Sequence, residues 1–124
     1  MTDTISFLSE THKKFLAPLF ERKTNSVTAI DVRQLTSYTD TIVIIEVNSN
    51  RQVTSLAEHM IRALKKLKIP SMGIEGVREG QWALLDYGDI IFHVFNSETK
   101  AFYDLEGFWA DAPRIDLSCF ETKP

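Results

Sequence analysis

Several features that mark particular protein classes are scarce in this 124-residue chain. It has one cysteine, Cys119, so no intrachain disulfide can form and a small disulfide scaffold is excluded. No apolar run approaches the roughly 20 residues that a membrane-spanning helix needs. The first residues, MTDTISFLSETHKKF, carry acidic groups and lack the apolar core of a secretory signal. We therefore expect a cytoplasmic protein without membrane contact.

An excess of positive charge is also lacking. The chain has 14 Lys and Arg against 17 Asp and Glu, a formal net charge of -3. Binding to nucleic acid through overall charge depends on neutralising phosphates and is not expected. A minor contact with RNA through local basic residues stays open, and these are Arg51, Arg62, Lys65, Lys66 and Lys68. A solvated helix face is the simpler interpretation of them.

The composition that is present is typical of one globular domain. Hydrophobic residues make up 44% of the chain and charged residues 25%. This length is enough for one buried core and too short for two. We expect a single domain over residues 1–124.

Two segments have the apolar spacing of amphipathic helices. The first lies within an N-terminal helical segment at 5–23, where Pro18 predicts a break. The second follows Ser49-Asn-Arg-Gln52, which has the pattern of a capping box, and it continues to Pro70. The second segment is the strongest helix prediction in the chain.

A third helix is predicted after Asn96 or Ser97 and before Pro113. Its apolar face would hold Ala101, Leu105, Phe108 and Trp109. The tail at 113–124 has no periodic pattern and is predicted to be irregular.

Short runs rich in β-branched and aromatic residues predict strands. They lie at 27–32, 41–47, around 72–74, 82–86 and 89–95. Helices before, between and after them predict an α/β (α+β) fold with one mixed β-sheet of about five strands flanked by helices.

The last two strands would form a hairpin with Tyr87-Gly88 at the turn, where glycine permits a positive φ. In that register Asp86 faces Asp89, and Trp82 faces His93. Alternation then places these four side chains and Leu84 on one face of the sheet.

Two interpretations of this face stay open on residue chemistry alone. Asp86 and Asp89 could hold a metal for nucleotidyl or phosphoryl transfer, with His93 as acid or base. However, the glycine-rich phosphate loop that usually accompanies such chemistry is missing. Aspartates also favour turns, and a histidine between Ile, Phe and Val is more often a core residue.

Three stretches closely resemble the ribosomal silencing factor family, also called Iojap-like proteins. They are AIDVRQLTSYTDTIVI, SNRQVTSLAEHM and IEGVREGQWALLDYGDIIFHVFNSETKAFYDLEGFW. The resemblance covers about residues 27–112, and the pair WxLLDYGDxxxHxF and FYDLExxW is specific to the family.

This resemblance implies a non-enzymatic repressor of translation under nutrient limitation. Such a factor binds the large ribosomal subunit through its ribosomal protein fourteen and sterically blocks subunit joining. The implied fold is similar to a nucleotidyltransferase domain without the catalytic residues. No cofactor or metal is expected, and a homodimer with a self-buried aromatic patch is the further alternative.

The resemblance also implies a set of partner-binding residues. They are Trp82, Leu84, Asp86, Tyr87 and Asp89, with His93 and Glu98 as additional candidates. Apolar anchors with a charged rim are typical of a protein-docking surface.

Overall fold

The computed structural model describes residues 5–7 and 10–120, which form one seven-stranded sheet with helices against it. The strands are β1 (Ile5–Phe7), β2 (Ser26–Asp31), β3 (Thr41–Val47), β4 (Gly73–Glu75), β5 (Trp82–Asp86), β6 (Ile90–Asn96) and β7 (Arg114–Asp116). The helices are α1 (Glu10–Leu16), α2 (Asn50–Lys66), α3 (Ser97–Tyr103) and α4 (Leu105–Phe108), with 3₁₀ turns at Leu19–Glu21 and Ser118–Phe120.

The sheet is mixed, with the strand order β1-β7-β2-β3-β6-β5-β4. The central pair β3 and β6 runs parallel, whereas β2–β3, β5–β6 and β4–β5 are antiparallel. The predicted fold class is confirmed. The strand count is seven rather than about five because β1 and β7 were not recognised from the sequence.

Both faces of the central strands are buried. One apolar cluster contains Val43 and Ile45 of β3 and packs against α2, while a second contains Ile42 and Ile44 and packs against Leu105. Since successive side chains of a strand point to opposite faces, a continuous apolar run such as TIVII supplies both clusters.

The predicted capping box starts α2. The Ser49 hydroxyl accepts a hydrogen bond from the Gln52 amide at 3.2 Å, and the Gln52 side chain accepts one from the Asn48 amide at 3.0 Å. The buried stripe of α2 is Val53, Leu56, Ala57, Met60 and Leu64. Within the described part of the chain, no helix is both long and apolar enough to cross a membrane.

Both ends of the chain differ from the predictions. Ile5–Phe7 forms a strand parallel to β7, so the N-terminal helix covers only Glu10–Leu16, and the chain breaks near Pro18 as expected. The predicted irregular tail contains β7 and a 3₁₀ turn. Its last residues, 121–124, and positions 8 and 9 of the predicted helical segment lie outside the described residues. Strands of three residues that pair with distant partners leave no local periodicity.

The third predicted helix is broken in two. Asp104 has φ 46°, in the left-handed region, and separates α3 from α4. Leu105 and Trp109 pack on the sheet as expected, but Ala101 and Phe108 are exposed. The places of Ala101 and Phe108 on the predicted apolar face are therefore wrong.

The backbone of Lys68, which follows the end of α2, is in a strained conformation that can be tested by substitution. Its φ is 63°, and the Lys68 and Ile69 amides donate to Lys65 and Leu64 carbonyls, a C-terminal motif that favours glycine. We expect Lys68→Gly to raise the free energy of unfolding by up to about 1 kcal/mol in urea titrations. Lys65→Gly, inside the helix, should lower it by about 1 kcal/mol. A loss of stability in Lys68→Gly would contradict this account.

Candidate partner-binding surface

Alternation along β5 divides its side chains between the two faces of the sheet. Ala83 and Leu85 are buried in the cluster beneath α2. Trp82, Leu84 and Asp86 are half-buried on the opposite face. That face is partly covered by α3 and α4, and it is where the sequence predicts a docking surface.

The pairing of β5 with β6 is shifted by two residues from the predicted register. Trp82 pairs with Phe95, Leu84 with His93 and Asp86 with Ile91. The turn is Gly88-Asp89, closed by a 3.0 Å hydrogen bond from the Tyr87 amide to the Ile90 carbonyl. A shift of two preserves the faces, so Trp82, Leu84, Asp86 and His93 still share one side, but Asp86 does not face Asp89.

We define the β5 patch as Tyr38, Trp82, Leu84, Asp86 and Tyr103. The two tyrosines are its most exposed members, at 72% for Tyr38 and 50% for Tyr103. Tyr103 packs against Trp82 with ring centroids 4.7 Å apart, and the Tyr38 hydroxyl lies 3.5 Å from the Asp86 carboxylate. The patch thus combines three aromatic rings with a carboxylate.

The indole of Trp82 is held on three sides. Its Nε1–H donates to Nδ1 of His93 at 3.0 Å. Its ring lies between Phe95, with centroids 4.9 Å apart, and Tyr103. Trp82 therefore belongs partly to the core and partly to the surface, which explains its intermediate burial.

His93 is a buried neutral imidazole. It is 8% exposed, and burial lowers its pKa to about 4. Because an indole N–H can only donate, Nδ1 of His93 must be the acceptor and the ring proton is on Nε2. The interpretation of His93 as a satisfied core residue fits this geometry, with the added role of fixing Trp82.

The segment that carries Tyr103 is anchored to the same face by a small polar network. The Glu106 carboxylate accepts hydrogen bonds from Thr28 Oγ1 at 2.6 Å and from Lys100 Nζ at 2.7 Å. These groups are partly buried, so the contacts fix α3 and α4 over β2. Tyr103 is thereby placed beside Trp82.

Asp86 shapes the turn that follows it. Its Oδ1 accepts a 2.8 Å hydrogen bond from the Gly88 amide, the arrangement expected of an aspartate in turn chemistry. Gly88 has φ 87°, so the residue type is required by the backbone. Part of Asp86 is nevertheless solvent-accessible at the edge of the patch.

Besides His93, three predicted site residues lie outside the β5 patch. Tyr87 is buried against Phe15 and Phe92, and burial raises the pKa of its phenol, so its expected exposure is wrong. Side chains alternate along the strand, so Tyr87 points to the same buried face as Ala83 and Leu85. Asp89 is exposed in the turn, and Glu98 is exposed in the first turn of α3.

Tyr38 and Tyr103 were not predicted from the sequence to be neighbours of Trp82. Tyr38 lies in the polar stretch RQLTSYTD, where an aromatic residue between polar ones was the available signal. Tyr103 belongs to the motif FYDLExxW, but only the break at Asp104 shows which side it faces.

The residues proposed for metal-dependent transfer are not assembled into a site. Asp86 is opposite Ile91, and Nδ1 of His93 is engaged by Trp82. Among the described residues, the metal-ligating side chains that do cluster are His12, Asp40 and Asp89. The transferase alternative therefore finds no support in this geometry.

Comparisons with known proteins bear on the whole chain. The sequence matches the family "Ribosomal silencing factor during starvation" over residues 7–124. The chain belongs to this family. It is 31% identical over 97 residues to the ribosomal silencing factor of Halalkalibacterium halodurans, covering 78% of this chain and 83% of that one. It is 30% identical over 103 residues to the chloroplastic protein Iojap of Zea mays, covering 83% of this chain and 44% of that one.

A solved structure from Chromobacterium violaceum shares the fold. It is 32% identical, with a TM-score of 0.77, and the match covers 82% of this chain and 84% of that one. The resemblance to ribosomal silencing factors inferred from the sequence motifs is confirmed, and with it the assignment to translation regulation.

The buried imidazole predicts a specific pH dependence of stability. The pKa of His93 is about 4 in the folded state and returns to its ordinary value of 6.5 on unfolding. Between these two pH values the unfolded state therefore binds more protons than the folded state. The His93 contribution is therefore complete above pH 6.5 and decreases as pH falls toward 4. Between pH 7.5 and 4.5 we expect it to lower the free energy of unfolding by about 2–3 kcal/mol in urea titrations.

His93→Asn is the matched variant, because its side-chain oxygen can replace Nδ1 as acceptor for Trp82 without titrating in this range. Its loss of stability over the same interval should be smaller by that amount. Equal losses in both proteins would show that His93 does not carry the effect.

Proposed function

We propose that this chain binds the large ribosomal subunit through the β5 patch and blocks joining of the small subunit. The contact on the large subunit is its ribosomal protein fourteen, as the family resemblance implies. The result is repression of translation when nutrients are limited, in the cytoplasm and without catalysis by this chain.

The composition and rigidity of the β5 patch carry the proposal. Tyrosine and tryptophan dominate the energetics of protein interfaces because they bury large areas with few rotatable bonds. Trp82 is already ordered by His93, Phe95 and Tyr103, so its conformational entropy is largely lost before binding. Such preorganisation favours affinity.

The charge around the patch indicates what it would face. Asp86 is in the patch, Asp89 is exposed in the adjoining turn and Glu98 is exposed at the start of α3. These carboxylates favour a partner with a basic surface and increase the rate of encounter. The seven candidate residues thus divide into patch members, acidic neighbours and two buried supports, Tyr87 and His93.

The opposite face of the sheet supports a single docking direction. It is covered by α1 and α2, whose apolar side chains are buried in the cluster with β3 and β6. A chain bound through the β5 patch would project α2 away from the contact. We propose that the bulk of α2 on that side excludes the small subunit.

Trp82→Ala should weaken binding to isolated large subunits by about 2 kcal/mol or more, which is about 30-fold in Kd. Because Trp82 also contacts His93 and Phe95, its substitution lowers stability as well.

Tyr38→Ala tests the patch without that complication, since Tyr38 is largely exposed. We expect it to weaken binding by about 1 kcal/mol or more in the same co-sedimentation titration.

Leu67→Ala is the matched control, because Leu67 is an exposed apolar residue at the end of α2. It should bind like the unchanged protein. Light scattering on the same samples distinguishes loss of binding from a change in oligomeric state, including the homodimer alternative. If Tyr38→Ala and Trp82→Ala both bind normally while folded, the patch is not the docking surface.

Subunit joining is the functional measurement. Small subunits added to large subunits saturated with the protein should fail to form joined ribosomes in sucrose gradients. Both patch variants should allow joining at concentrations where the Leu67→Ala control blocks it. Binding without any effect on joining would reject the steric mechanism while leaving the docking surface intact.

A further inference from the structure

We propose that His12, Asp40 and Asp89 form a binding site for a zinc-class divalent transition-metal ion. One ligand atom from each side chain lies within 4.8 Å of the other two. The three residues come from α1, from the segment before β3 and from the turn between β5 and β6. Asp89 also adjoins the β5 patch, but the metal site is argued from its own geometry and does not depend on the proposed ribosomal function.

The two aspartates are joined through the backbone. The Asp89 carbonyl accepts hydrogen bonds from the amides of Asp40 and Thr41, both at 3.1 Å. Thr41 begins β3, and Asp89 directly precedes β6, so the parallel pairing of these strands brings the two carboxylates to the same end of the sheet. Their proximity is therefore fixed by the fold.

His12 is brought to this end by the packing of α1. Phe15 lies one helical turn after His12, and their rings contact at 6.3 Å between centroids. Phe15 is buried against Tyr87, at 5.9 Å, and Tyr87 lies two residues before Asp89. A core contact thus places the imidazole next to the turn.

The donor set indicates the class of ion. One imidazole nitrogen and two carboxylate oxygens are a combination suited to Zn²⁺ and related ions, which can complete their coordination with water. Mg²⁺ strongly prefers oxygen donors and octahedral geometry. Around a tetrahedral zinc, ligand atoms lie roughly 3.4 Å apart. Small side-chain rotations are enough to bring the three ligand atoms from their present separation, within 4.8 Å, to that spacing.

The residues on either side of Asp40 are buried. Thr39 is 5% exposed and Thr41 is 2% exposed. The core therefore holds the backbone from which the Asp40 carboxylate projects.

Binding here would have a structural consequence. An ion would join α1, the segment before β3 and the β5–β6 turn, and that turn also contains the Gly88 amide bonded to Asp86. Zinc should therefore raise the melting temperature of the chain by stabilising the folded state.

Calorimetric titration of the metal-free full chain at pH 7.5 tests the site. We expect one Zn²⁺ per chain and no measurable binding of Mg²⁺ at the same concentrations. His12→Gln and Asp89→Asn should each weaken Zn²⁺ binding by more than about tenfold, since loss of even an outer-shell partner commonly costs that much. Asp89 is exposed, so its variant is expected to fold normally.

Two controls make the assignment specific. His59→Gln removes a half-buried histidine paired with Glu21, and Cys119→Ser removes the exposed thiol. Both should retain full zinc affinity, and Co²⁺ bound in place of zinc should show no thiolate charge-transfer band. The proposal is overturned if zinc does not bind, if His12→Gln and Asp89→Asn bind normally, or if either control abolishes binding.

Discussion

The parallel pairing of β3 with β6 is the constraint on which the rest of the structure depends. Parallel strands need a long crossover connection, and both of their faces must be covered. The chain meets the first requirement with α2, which also covers one face. It meets the second with α3 and α4, two helices of seven and four residues. Short helices cover less area, so the outer face near β5 stays partly open and the β5 patch lies there.

The parts of the fold that local patterns determine were predictable from the sequence. The capping box at Ser49, the stripe of α2 and the limits of β3 and β5 each depend on residues close together in the chain. The face to which each β5 side chain points was predictable for the same reason, because the alternation of side chains is a property of one strand. Alternation alone placed Trp82, Leu84 and Asp86 correctly on one face.

What sequence patterns did not determine depends on contacts between distant segments. The hairpin register was wrong by two residues because both turns, Tyr87-Gly88 and Gly88-Asp89, place a glycine at a central position. The strands β1 and β7 stabilise each other across more than 100 residues and are too short to show periodicity. Tyr38 joins the patch through Asp86, 48 residues away. The cluster of His12 with Asp40 and Asp89 arises in the same way.

The environment of Trp82 limits how it can contribute to recognition. Its single hydrogen-bond donor is used by His93, so a partner cannot be recognised through the indole N–H. The remaining accessible part of the ring offers only apolar contact. If the chain docks through the β5 patch as proposed, directional recognition would come from the Asp86 carboxylate and the hydroxyls of Tyr38 and Tyr103. Trp82 and Leu84 would then supply area, whereas the polar groups at the edge would select which basic surface can dock there.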